Sequence, residues 1–246
     1  MKDNFSHRSA DYAQFRPSYP AALYEFIVAN CAGNDCAWDC ATGNGQVAVV
    51  LADHFRQVEA TDISENQLKN AAFRPNIHYQ MAAAEQSVFS ENQFDLVTVG
   101  QAAHWFRLEK FYTEVQRVLK PGGLLALFGY GLLHIDAPTD AVVEHLYHDI
   151  LGDDWDPERQ LVDEALATIA FPFREIPLPE MVVEYRWTTD FLLGYLSTWS
   201  AVRHYEKRTG ESPLGESFAA ALSAAWGAEA EKTVRFSIFG RVGVHQ

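Results

Sequence analysis

The stretch Asp39-Cys40-Ala41-Thr42-Gly43-Asn44-Gly45 follows an apolar run directly and opens directly into a helical pattern. Such a strand-to-helix turn is a binding loop, because glycine reaches backbone angles closed to other residues and lets a ligand approach the main chain. The next apolar run, Gln57–Asp62, ends in a carboxylate able to accept hydrogen bonds from both hydroxyls of a ribose. Both features in register imply a nucleoside ligand at the edge of a sheet.

From residue 37 to 129 the chain repeats this alternation, the pattern of βα units around a parallel sheet. Strands are expected at 37–40, 57–62, 77–82, 94–100 and 124–128, with helices at 45–54, 65–72 and 108–119. Ser64 with Gln67 three residues on reads as a capping box for the second helix. Pro121-Gly122-Gly123 is expected to stop the third helix and turn the chain into the next strand. Ahead of the alternation, Tyr19-Pro20 precedes a helix with Leu23, Phe26 and Ile27 on one face. Beyond Phe128 the pattern lapses into helical readings at 139–151 and 158–170. A proline-punctuated stretch, 171–179, then reads as inserted and not part of the central sheet. A strand at 181–187, one or two helices over 190–208 and closing strand structure at 233–245 complete the chain.

Composition narrows the partners. With 246 residues, 48% of them hydrophobic, one domain can bury a substantial core. A net charge of −14 repels a phosphate backbone and argues against a nucleic-acid substrate. No eighteen-residue apolar run is present, and the opening residues lack a secretory apolar core, so a cytoplasmic protein with no membrane partner is expected. The three cysteines, Cys31, Cys36 and Cys40, have neither disulfide-framework nor paired metal-ligand spacing. No metal is assigned, and His145 and His148 receive no role.

Gly43-x-Gly45-x-x-Ala48 with Asp62 also satisfies a dinucleotide fingerprint, which leaves an NAD-dependent oxidoreductase open as an alternative. Asp39 weighs against it: a carboxylate can pair with the ammonium of an aminoacyl ligand but sits poorly beside a pyrophosphate. After the fourth strand, Gln101-Ala102-Ala103-His104-Trp105 occupies the edge where ligands of open sheets bind. His104 there is either a general base or, with Trp105, a wall of the site. At the N-terminus, Tyr12-x-x-Phe15-Arg16-Pro17-x-Tyr19 suits a lid in which Arg16 clamps a carboxylate or stacks on an aromatic ring. Trp199 and Arg203 fall on one helical face and are the candidates for acceptor selection, Arg203 for an anionic one.

The ordered set Tyr12-Ala13-Gln14-Phe15-Arg16-Pro17-Ser18-Tyr19-Pro20, Trp38–Gln46, Thr61-Asp62-Ile63-Ser64, Ala84-Glu85, Gln101–Phe106, Lys120-Pro121-Gly122-Gly123 and Thr198–Val202 resembles the class I S-adenosylmethionine-dependent methyltransferases. Within them it is similar to the branch holding the trans-aconitate and other small-molecule enzymes (methyltransferase type 11). The resemblance implies an α/β fold, a Rossmann-like doubly wound sheet of seven mostly parallel strands with an N-terminal lid and an inserted helical cap. It implies a single domain over 1–246: lid 1–20, cofactor-binding core 21–130, substrate cap and insert 131–215, closing strands 216–246. The cofactor it implies is S-adenosyl-L-methionine, with S-adenosyl-L-homocysteine as product. Asp39, Gly43 and the neighbouring backbone would hold its methionine end, Asp62 with Ile63 its ribose, and Ala84-Glu85 its adenine. Tyr12, Arg16, Ala41, Gly45 and Gln101 would surround it, and His104, Trp105, Trp199 and Arg203 would face the substrate. Ala41 stands where many relatives carry glycine. The expected activity is methyl transfer to a small molecule, with a carboxylate as the suggested acceptor, in a monomer or homodimer. A noncatalytic cofactor-binding module is the other alternative.

Overall fold

The protein is described by a computed structural model over residues 15–246. Strands β1 (Cys36–Cys40), β2 (Gln57–Asp62), β3 (Ile77–Met81), β4 (Phe94–Gly100) and β5 (Leu119–His134) are mutually parallel. The strands β6 (Arg174–Ile176), β7 (Met181–Trp187) and β8 (Lys232–Val244) complete the sheet, with β8 antiparallel to β5. The spatial order is β3-β2-β1-β4-β5-β8-β6, and β7 also pairs with β8. Since β6 lies against Val242–Val244 and β7 against Lys232–Ile238, the two short strands share one position at the sheet's edge. The sheet is thus seven strands wide, as expected.

The central strands are continuous apolar runs because both faces of the sheet are covered. Along β1, Ala37 enters one core and Trp38 the other; along β5, Leu124, Ala126 and Phe128 face the first while Leu125 and Leu127 face the second. Helix α1 (Ala21–Ala29) and helix α2 (Gln46–Leu51) pack into the first core. Helix α3 (Glu65–Lys69) is capped by Ser64, whose hydroxyl accepts from the Gln67 amide at 3.4 Å. Helix α4 (Leu108–Val118) buries Phe111, Val115 and Val118 on the opposite face. A cap follows β5, built from α5 (Ala137–Glu144), α6 (Gln160–Asp163), α7 (Thr189–Ser197), α8 (Ser200–Thr209) and α9 (Glu216–Trp226). Among the described residues no helix is long and apolar enough to cross a membrane.

Four expectations change. Pro121-Gly122-Gly123 does not turn the chain into a new strand; it is a bulge inside β5. There the β4 partner register jumps from Leu119 to Leu124, and Gly122, at φ +80°, donates to the His245 carbonyl at 2.9 Å. The helix expected over 158–170 stops at Asp163, because Ala165 and Leu166 adopt left-handed angles that no α-helix continues. The stretch 171–179 is not excluded from the sheet, since β6 pairs with β8. Residues 216–246, expected as closing strands, begin with α9, an alanine-rich helix burying Phe218, Leu222 and Trp226.

Candidate active site

Two acids hold the glycine turn from its two sides. Asp39, at the end of β1, is fully buried. Its Oδ2 accepts from the Thr42 hydroxyl at 2.5 Å and the Ala48 amide at 3.1 Å, and its Oδ1 accepts from the Thr98 hydroxyl at 2.9 Å. Burial pushes its pKa up to about 6 against the pull of these donors. A carboxylate offers roughly four acceptor positions, so Asp39 gives most of its capacity to the protein itself. It staples the turn to α2 and β4, a role the sequence did not reveal beside the expected pairing with an ammonium. Asp62, ending β2, accepts from the Gly43 amide at 2.9 Å and from the Ser64 amide at 2.8 Å.

Three residues of the turn are left-handed: Ala41 at φ +57°, Gly43 at +57° and Gly45 at +83°. The two glycines serve different ends. A Cβ on Gly43 would meet nothing within 4 Å, whereas one on Gly45 would run into the Tyr79 hydroxyl. Gly43 therefore opens the turn to a ligand, and Gly45 makes room for a neighbouring side chain.

Above this turn lies a cavity whose lining includes Arg16, Tyr19, Asp39, Ala41, Thr42, Gly43, Asn44, Gln101 and Tyr130. Gly45, Asp62, Ile63, Ala84 and Glu85 are not in that lining. Ala84 is buried in the second core. Glu85 caps the approach to α4, accepting from the Arg107 amide at 3.0 Å. Tyr12 falls outside the described residues.

A second cavity is lined by His104, Trp105, Trp155, Asp156, Arg159, Trp199 and Ser200, and it shares Arg16 and Gln101 with the first. Gln101 is held in a left-handed conformation, φ +53°, by a pair of bonds that extend the β4–β5 ladder. Its Oε1 accepts from the Tyr130 amide at 2.9 Å and its Nε2 donates to the Tyr130 carbonyl at 3.2 Å. Arg16 donates to the Tyr130 hydroxyl at 3.3 Å and to the Thr198 carbonyl at 3.2 Å, with its guanidinium 5.6 Å from the Tyr195 ring centre. The guanidinium thus lies over an aromatic ring, as foreseen for a stacked cover, and these hydrogen bonds go to the protein itself.

His104 is 8% exposed, with its ring 4.7 Å from that of Trp105. Burial, reinforced by the Arg159 charge, lowers its pKa to about 3. An imidazole so weakly basic is a poor general base at neutral pH, which weighs for the wall reading over the base. Arg203 lines neither of these two cavities, while Arg159 lines the second. Sequence reasoning missed Arg159, Trp155 and Tyr130. For Trp155 and Arg159 the only signal was an aromatic and a cation within the acidic run from 153 to 164, which reads locally as a solvated helix face.

Comparison with known proteins places this geometry. The family model of a methyltransferase domain matches residues 38–127. A Dictyostelium discoideum protein designated a methyltransferase is 35% identical over 218 residues, spanning 87% of this chain and 83% of its own length. A solved structure from Anaeromyxobacter dehalogenans, designated a type II methyltransferase, is 41% identical with a TM-score of 0.86, covering 94% of this chain and 98% of that one. A Bacillus halodurans structure also designated a methyltransferase shares the fold at 21% identity, with a TM-score of 0.53 over 92% of this chain and 97% of that one.

Proposed function

Since this chain belongs to the class I S-adenosylmethionine-dependent methyltransferases, we propose that it methylates a small molecule at a carboxylate oxygen, with the acceptor seated in the cavity beyond Arg16 and Gln101. Family membership closes the NAD-dependent alternative that Gly43-x-Gly45-x-x-Ala48 left open. The observation that carries the proposal is the pair of cavities divided by one shared wall.

The turn fits the cofactor. Gly43 leaves its outward side open, and the cavity bears a carboxylate, Asp39, and a guanidinium, Arg16, the two charges that answer an amino-acid end. Asp39, Arg16, Gly43 and Gln101 would hold that end, with Asp62 toward the ribose. When bound, the cofactor supplies an electrophilic methyl group on a positively charged sulfur. The protein's work is alignment and exclusion of water. Gln101, fixed at both ends of its amide by Tyr130, keeps the dividing wall rigid. Arg16, tied to Tyr130 and Thr198, closes it from the lid side. His104, kept neutral, offers a hydrogen bond without competing for protons. With His104 so weakly basic, an acceptor already ionised at neutrality, as carboxylates are, suits the site.

Incubation of the protein with methyl-labelled S-adenosylmethionine and a small-molecule extract tests this. The labelled product should release its methyl as methanol in mild alkali, the behaviour of a methyl ester. Label stable to alkali would place the methyl on another atom and reject the carboxylate.

A further inference from the structure

The second cavity carries a cation that the methyl-transfer reading does not use. Arg159 stands at the end of a short helical turn, Pro157–Arg159, and its side chain is 18% exposed. Its Nε donates to the Tyr147 hydroxyl at 2.8 Å and to Asp163 Oδ1 at 3.2 Å, and that hydroxyl in turn donates to Asp163 Oδ1 at 2.7 Å. The guanidinium carbon lies 5.0 Å from the Trp155 ring centre and 5.5 Å from that of Tyr147. The stem and plane of the guanidinium are thus fixed through one nitrogen and two rings. Its two terminal nitrogens have no protein partner among the described residues. A guanidinium immobilised in this way presents a pre-set fork, the geometry that matches a carboxylate.

The surrounding wall is indole. Trp155 and Trp199 lie 5.4 Å apart, and Trp105 covers His104. Asp156 belongs to the same lining and lies 3.9 Å from His204 Nδ1. The lining holds two guanidinia, Arg16 and Arg159, and one carboxylate, Asp156, beside three indoles, with Asp163 engaging Arg159 only through Nε. A small polyacid would strand its extra charges against tryptophan.

We infer that the acceptor is an acid with a flat apolar body, its carboxylate held by Arg159 and its body lying among Trp105, Trp155 and Trp199. This rests on the acceptor cavity identified above and narrows what enters it. The experiment is calorimetric titration of the whole chain, saturated with S-adenosylhomocysteine, by 3-phenylpropionate, 3-phenylpropionamide and tricarballylate. The aromatic acid should bind at least about tenfold more tightly than the amide, and more tightly than the tricarboxylate. Arg159→Gln should erase the preference for acid over amide, and Arg159→Lys should restore part of it. Trp105→Leu should weaken acid and amide together, and it stands in if Arg159→Gln does not fold. Unchanged affinity for S-adenosylhomocysteine shows that each variant is folded. Absence of binding by the acid, equal binding of acid and amide by the native protein, tighter binding of tricarballylate, or an unaltered preference in Arg159→Gln each overturns the inference. Alkali-stable methylation with this binding pattern intact would instead reject only the carboxylate oxygen as the methylated atom.

Discussion

Asp39 shows how much one buried side chain decides. Its folded pKa, near 6, stands above the ordinary carboxylate value chiefly because burial disfavours the charge. The folded state therefore binds the proton more tightly than the unfolded chain, and stability contributed by this group is complete at low pH and lost as pH rises through about 6. Between pH 4 and 6 the loss is on the order of 3 kcal/mol. Asp39→Asn removes the titration, so the stability difference between native protein and variant should shrink over that interval and level off above it. Denaturant unfolding at several pH values checks this, and a pH-independent difference would show that Asp39 titrates normally. Ala41 illustrates a different constraint, since its methyl is carried at φ +57°, where a Cβ costs roughly 1–2 kcal/mol.

At the scale of elements, the acceptor cavity depends on a clasp outside it. Arg208 on α8 grips Asp154 with two bonds, Nε to Oδ1 at 2.9 Å and Nη2 to Oδ2 at 2.5 Å. His204, one turn earlier, donates from Nδ1 to the Asp154 carbonyl at 2.9 Å. The clasp fixes the turn that immediately precedes Trp155, Asp156 and Arg159, while Trp199 and Ser200 at the start of α8 form the facing wall. Arg208 is a positioning residue on this account. Arg208→Ala should raise the acceptor KM about five- to tenfold through misplacement of that wall, with affinity for S-adenosylhomocysteine unchanged. Arg208→Lys should recover part of the loss, and steady-state kinetics beside calorimetry would separate this from general destabilisation, which lowers both.

At the scale of the molecule, the described start of the chain, from Phe15, is docked on β7 and α7, far along the chain. Ser18 donates its amide to the Tyr185 hydroxyl at 2.9 Å, and that hydroxyl donates back to the Ser18 carbonyl at 2.9 Å. Phe15 meets Phe191 edge-on at 5.1 Å and lies against Gly194, where an added Cβ would collide with its ring. These contacts bring Arg16 over both cavities at once. Gly194→Val should lift the segment and weaken both S-adenosylhomocysteine and acceptor binding by about tenfold, while far-UV circular dichroism stays native. Unaltered affinities would mean that the segment covers nothing. Long-range pairing also completes the sheet, where β8, late in the chain, is inserted between β5 and the β6–β7 edge.

The sequence alone determined the five parallel strands to within a residue or two at most ends, the glycine turn, and the acids that end β1 and β2. These are local matters: periodicity, a turn's demand for left-handed angles and a strand's last residue are written in neighbouring positions. The C-terminal extension of β5 past Phe128, and its start through the Pro121-Gly122-Gly123 bulge, escaped because their pairing partners lie elsewhere. So did the short β6, whose strand character comes only from β8. Tertiary structure alone set Arg159 into the lining of the second cavity and buried His104 beside Trp105. Burial and proximity between residues distant in sequence set those outcomes, and neither quantity exists until the chain is folded.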